Sequence, residues 1–157
     1  TNTNPHSGYE EDGLDMAYVA DCKKIYDNLC AQITITMGKA ASKRERDEKQ
    51  LKNTALVYGE VTFETMGIII EKIRKKYGKP FVGTSGATGI LQGTSGGIFY
   101  DLGSGSGKAT VAAAILYNFD TCCGVELLES LFSLSLDISA VYGKFNIYSM
   151  YRIIYSI

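Results

Sequence analysis

Ile98-Phe99-Tyr100-Asp101-Leu102-Gly103-Ser104-Gly105-Ser106-Gly107-Lys108, continued as far as Gly124-Val125-Glu126, is the stretch whose reading decides the fold. An apolar run, a turn with glycine at every second position, an alanine-rich segment from Gly107 to Tyr117, a second apolar run from Thr121 to Val125 and a closing acid predict strand, turn, helix, strand. Both strands read as buried. The order is the front half of a nucleotide-binding α/β unit. Glycines let such a turn be tight and let the backbone approach a ligand where a Cβ would collide. Asp101 ends the first strand and Glu126 the second, and ligands of open α/β sheets bind just outside those carboxyl ends.

Composition narrows the chemistry. A chain of 157 residues suffices for one domain with its own core, and a net charge of -1 promises no strong attraction to nucleic acid or to a membrane. No apolar run approaches the roughly 18 residues of a membrane span. The acidic N-terminal stretch with Glu10, Glu11 and Asp12 is no signal peptide, and residues up to Gly13 read as a frayed end. His6 is the only histidine, which argues against Ser-His-Asp, Cys-His and histidine-rich metal sites. Cys22, Cys30, Cys122 and Cys123 form no CxxC pair and read as small apolar residues of a reducing compartment. No metal site is expected.

Before the glycine turn the chain reads as a small helical region over residues 1–56. Val19, Cys22, Tyr26, Leu29 and Ile33 recur at helical steps. The end of that helix has two readings, a β-branched strand at Ile33-Thr34-Ile35-Thr36 or a stop at Gly38. Ser42 with Glu45 predicts a capping box opening a charged surface helix. Leu56-Val57-Tyr58-Gly59-Glu60 breaks the helical pattern. Thr62 then caps a helix carrying Phe63, Met66, Ile69, Ile70 and Ile73 on one face, with Gly78 and Pro80 as its stop. Lys72, Arg74, Lys75, Lys76 and Lys79 crowd its last turns, where cations suit the helix dipole. Residues 82–97 repeat Gly-Thr-Ser-Gly and read as a flexible insertion. After Glu126, the stripe Leu127, Leu131, Leu134, Ile138 and Val141 predicts a helix packed on the sheet.

Three ligand classes use turns of this kind. The phosphate loop fails where Leu102 replaces its first glycine and Ala109 its Ser/Thr. The dinucleotide fingerprint fails only where Lys108 replaces its third glycine, so an NAD-type oxidoreductase stays open. The pattern D-x-G-x-G-x-G, met by Asp101, Gly103, Gly105 and Gly107, resembles the first motif of class I S-adenosylmethionine-dependent methyltransferases. That cofactor has an ammonium for an acid such as Asp101 to attract and ribose hydroxyls for which Glu126 is a good acceptor.

A narrower resemblance runs from Val57 to Asp137, outside the insertion. Val57-Tyr58-Gly59-Glu60, Thr62-Phe63-Glu64, Phe99-Tyr100-Asp101-Leu102-Gly103 and Gly124-Val125-Glu126 are similar to the disruptor-of-telomeric-silencing family of non-SET histone lysine methyltransferases. The resemblance implies S-adenosylmethionine as cofactor and a protein substrate such as a nucleosomal histone, with nucleic acid met only through the nucleosome. It implies an intracellular protein, nuclear if the substrate is a histone. It also implies that Tyr58, Gly59 and Glu60 line the cofactor site beside Asp101, Gly103, Gly105, Gly107, Lys108 and Glu126. No catalytic base is identified. The implied fold is an α/β, Rossmann-like class I methyltransferase sheet over residues 57–157. Such a sheet has about seven strands, and the short tail after Glu126, with Asn146 after Phe145, leads us to expect it to be incomplete at its C-terminal end. A truncated, non-catalytic cofactor-binding module is therefore a further alternative.

Overall fold

The computed structural model of the chain describes residues 9–10, 13–14, 16–52, 56–77 and 96–142. Two short strands, β1 (Tyr9–Glu10) and β2 (Gly13–Leu14), pair antiparallel where a frayed end was expected. Then come α1 (Met16–Cys30), α2 (Ile35–Glu48), α3 (Phe63–Tyr77), β3 (Ile98–Leu102), α4 (Lys108–Leu116), β4 (Thr121–Val125) and α5 (Glu129–Tyr142).

The β3–α4–β4 unit matches the strand, turn, helix and strand expected from sequence. The two strands run parallel, from Ile98 opposite Thr121 to Leu102 opposite Val125, with α4 as the crossover. The described residues thus form a mixed α/β structure with a two-stranded parallel sheet beside several helices. Val111, Ala112 and Leu116 on α4 are buried against Cys22 and Tyr26 of α1, Phe63, Met66 and Ile70 of α3, and Ile138 of α5. The Tyr26 and Phe63 rings lie 5.0 Å apart within this cluster. A smaller cluster joins Tyr58 to Leu128 and Leu131. No described helix is long and apolar enough to cross a membrane.

Several local expectations need correction. β3 is not buried on both faces: Ile98, Tyr100 and Leu102 are 58%, 61% and 80% exposed, while Phe99 and Asp101 point inward. Alternate residues of a strand face opposite sides, and among the described residues only one side of β3 is well covered. Ser42 does not open a helix. It lies in the middle of α2, whose N-cap is Thr34, with Thr34 Oγ1 accepting from Met37 N at 3.2 Å. The β-branched segment at residues 33–36 is therefore a cap and a first turn, neither a strand nor a continuation of α1. Gly38 is inside α2 and stops nothing. A Cβ there would come within 2.6 Å of Tyr58 Cζ, so its role is close approach.

Thr62 does cap α3, accepting from Thr65 N at 3.2 Å. Ile69, expected in the buried stripe, is substantially exposed. Arg74 and Lys75 pair with Glu71 near the end of α3, each at 3.2 Å. Most of the Gly/Ser/Thr-rich insertion, like Gly78 to Pro80 and the tail from Gly143, lies outside the described residues. Its last two glycines are held: Gly96 N donates to Asn118 O at 2.8 Å and Gly97 N to Asp120 Oδ2 at 2.9 Å.

Candidate functional site

At the carboxyl ends of β3 and β4 the chain turns sharply. Gly103, Gly105 and Gly107 all have positive φ, at 83°, 57° and 83°. This is a region that side-chain-bearing residues rarely enter, which accounts for glycine at alternate positions. Gly103 N and Ser104 N both donate to Val125 O, at 2.8 and 3.0 Å, and tie the turn to the end of β4. Gly107 caps α4, with its carbonyl receiving Val111 N at 3.0 Å.

Glu126 is buried against this turn. Its Oε2 accepts from Gly105 N at 2.7 Å and its Oε1 from Leu128 N at 2.8 Å. One carboxylate thereby fastens the glycine turn to the entry of α5. A buried carboxylate demands such donors, because an unpaired one would bear a large desolvation penalty.

Tyr58 lies on the other side of the turn. Its ring occupies the space that a Cβ on Gly105 would need, with Cε2 only 2.6 Å from that point. Its hydroxyl donates to Glu60 Oε1 at 2.6 Å and shares a 2.6 Å hydrogen bond with Ser106 Oγ. Lys108 Nζ meets Glu60 Oε1 at 3.0 Å and Oε2 at 3.1 Å. Burial, reinforced by the bond to Glu60, pushes the Tyr58 hydroxyl pKa well above its usual value and keeps the phenol protonated. Asp101 turns towards α4, where Oδ2 accepts from Thr110 Oγ1 at 2.9 Å. Burial raises its pKa, the Thr110 bond opposes that, and the nearby Glu126 charge adds to it.

Between these groups lies a pocket of about 360 Å³. Leu56, Val57, Tyr58 and Gly59 form one wall, Gly103 and Gly105 the floor, and Val125 to Leu128 with Leu131 the other wall. Five of the nine expected site residues line it: Tyr58, Gly59, Gly103, Gly105 and Glu126. Glu60, Gly107 and Lys108 do not line it, and Glu60 and Lys108 form an ion pair that anchors Tyr58. Asp101 does not line it. Sequence reasoning missed Ser106, whose hydroxyl fixes Tyr58, passed over Leu128, and read Leu131 only as core. It also missed Glu45, which reaches the pocket wall through α5. Its spacing from Ser42 suggested only a capping box, since its partners Glu129 and Ser130 lie more than eighty residues away. Among the described residues no cluster of three or more His, Cys, Asp or Glu could hold a metal ion.

Comparison with known proteins bears on this segment. No curated protein matches the chain. Residues 88–151 match the family model described as histone methylation protein DOT1. The matched segment holds β3, the glycine turn, α4, β4, Glu126 and α5. The Tyr58-Gly59-Glu60 loop and helices α1 to α3 lie before it. Over residues 88–151 the chain is similar to the DOT1 histone methylation family.

Proposed function

We propose that the pocket binds S-adenosylmethionine and that the chain is a methyltransferase acting on a lysine side chain of a protein, such as a nucleosomal histone. The observation that carries this reading is the convergence of the glycine turn, the Tyr58-Gly59 wall and buried Glu126 on one pocket of about 360 Å³. That volume is within the range of small-molecule sites. A nuclear location goes with a histone substrate, and any contact with nucleic acid would come through the nucleosome.

The lining suits a nucleoside without phosphates. Open space lies where a Cβ of Gly103 would stand, so a ligand can come close to that backbone. Each Glu126 oxygen accepts one backbone N–H and retains a second acceptor site for a ribose hydroxyl. Leu127, Leu128 and Leu131 offer an apolar wall to a flat base. Among the described residues no cation lines the pocket, because Lys108 is turned to Glu60. That disfavours a dinucleotide, whose pyrophosphate seeks such a charge.

When bound, the cofactor supplies an electrophilic methyl group on a sulfonium. The chain's own residues have positioning to do, because an in-line displacement needs no protein nucleophile. Glu126 and the glycine turn orient the nucleoside end. Tyr58, pinned by Glu60 and Ser106, closes the side facing the loop and excludes water.

Calorimetry and thermal shift with S-adenosylhomocysteine and with NAD test the ligand, and radiolabelled methyl transfer to nucleosomes tests the reaction. Binding of S-adenosylhomocysteine, lost by at least about tenfold in Glu126→Ala, is the expected result. Stabilisation by NAD alone would favour an oxidoreductase. Cofactor binding without label transfer would favour a non-catalytic module.

A further inference from the structure

Helix α2 has an unusual buried face. Its buried residues are Gly38, Ser42 and Glu45, spaced three and four apart on one stripe, and none is a large apolar residue. Ile35 and Met37, the larger apolar side chains of its first turn, are exposed. A helix attached in this way gains little from non-directional apolar burial. Its contacts are directional, and they reach both walls of the pocket.

Towards the first wall, Ser42 Oγ donates to Leu56 O at 3.0 Å, and Gly38 provides the space in which the Tyr58 ring sits. Towards the second, Glu45 Oε1 accepts from Glu129 N at 3.0 Å and Oε2 from Ser130 N at 2.7 Å. Ser130 Oγ returns a bond to Ala41 O at 3.2 Å. The carboxylate caps the first turn of α5, which carries Leu131 into the pocket and the cluster with Tyr58 and Leu128. Arg46 Nε on Ser42 Oγ at 3.3 Å and Lys49 Nζ on Glu45 Oε1 at 2.6 Å hold the two polar groups in place.

We propose that α2 is a clamp setting the separation of the two pocket walls, with Glu45 and Ser42 as positioning residues for the ligand. This deepens the proposed function and rests on reading the pocket as its ligand site. It assigns part of that site to a helix outside the matched residues 88–151. Neither residue lines the pocket, so their effect on a ligand must pass through the walls they hold.

Two measurements on the full chain test this, with Ile70→Val in the other core cluster as a destabilised control. In the ligand-free protein, amide exchange is followed in Glu45→Ala, Ser42→Ala and Glu45→Gln. Glu45→Ala is expected to speed exchange by about tenfold at Gly105 and in residues 57–60, beyond the control, as well as at Glu129 and Ser130. Acceleration confined to Glu129 and Ser130 would overturn the clamp. The second measurement is calorimetric affinity for S-adenosylhomocysteine, taken well below each variant's melting temperature. Glu45→Ala is expected to lose about tenfold, with partial recovery in Glu45→Gln, which keeps one acceptor oxygen. Unchanged affinity in the folded variant would also overturn it. If the unaltered chain binds no S-adenosylhomocysteine, the proposed function falls while the exchange result still decides the clamp. If Glu45→Ala does not fold, Ser42→Ala and Glu45→Gln supply both readouts.

Discussion

Replacing Glu45 by Gln should weaken the fold at neutral pH and leave it almost unaffected near pH 2. The side chain is 6% exposed, and its two oxygens receive Glu129 N, Ser130 N and the Lys49 ammonium. Burial alone would raise its pKa. The bonds from Lys49, Ser130 and Glu129 together outweigh burial and hold the carboxyl down at about 2, against 4.5 for an ordinary Glu. A folded-state pKa below the unfolded value means stability that is fully present above about 4.5 and lost as pH falls towards 2. The difference corresponds to about 3 kcal/mol at neutral pH. Lys49 is half exposed, so screening of that pair trims the expectation to about 2 kcal/mol. Gln keeps one acceptor and cannot carry the charge, much like the protonated acid. Urea unfolding of both proteins at a series of pH values between 7 and 2.5 gives the difference directly, provided the denaturant slopes agree. A gap of about 2 kcal/mol that closes on acidification is expected. A gap of constant size from pH 7 to 2.5 would refute the assignment of a depressed pKa to Glu45.

Other consequences are accessible to thermal or urea unfolding. Gly105→Ala combines positive φ with a contact of 2.6 Å to Tyr58 Cε2 and should cost about 2 kcal/mol or more. A loss below about half a kcal/mol would mean that the turn relaxes freely. Tyr58→Phe removes the hydroxyl shared by Glu60 and Ser106 and should cost about 1–2 kcal/mol. A neutral result would show that water replaces the hydroxyl at no cost. Leu102→Lys, at a strand position 80% exposed, should change stability by no more than about 0.5 kcal/mol. A large loss there would mean that the outer face of β3 is covered in solution.

The β3–α4–β4 unit was legible because its signals are local. Thr121–Val125 begins and ends where the apolar run does, and a strand, a glycine turn and a helix follow one another without a long connection. Thr62 was legible for the same reason, as a cap is defined within one turn. The misreadings concern competition between local signals. Ser42 with Glu45 has the spacing of a capping box, but Thr34 caps the same helix two turns earlier, which turns Ser42 and Glu45 inward. Gly38 resembles a helix stop in sequence, and what distinguishes it is a tyrosine twenty residues further on. Among the site residues, Glu126 was legible as an acid at a strand end. Its backbone partners, Gly105 and Leu128, were not.

By itself the sequence determined the elements around the glycine turn, the presence of a single histidine and the family resemblance that the match over residues 88–151 supports. These depend on residue type and on spacing along the chain. Only the tertiary structure decided that Tyr58 lies against Gly105, that Lys108 faces Glu60, that Asp101 turns from the pocket to Thr110, and that α2 reaches both pocket walls. Each of these is a directional contact between residues far apart in sequence, apart from the Asp101–Thr110 bond. A hydrogen bond or a close ring contact depends on fractions of an ångström and tens of degrees. Helical and strand periodicity carries no information at that scale, so the glycine turn could announce a ligand without revealing what surrounds it.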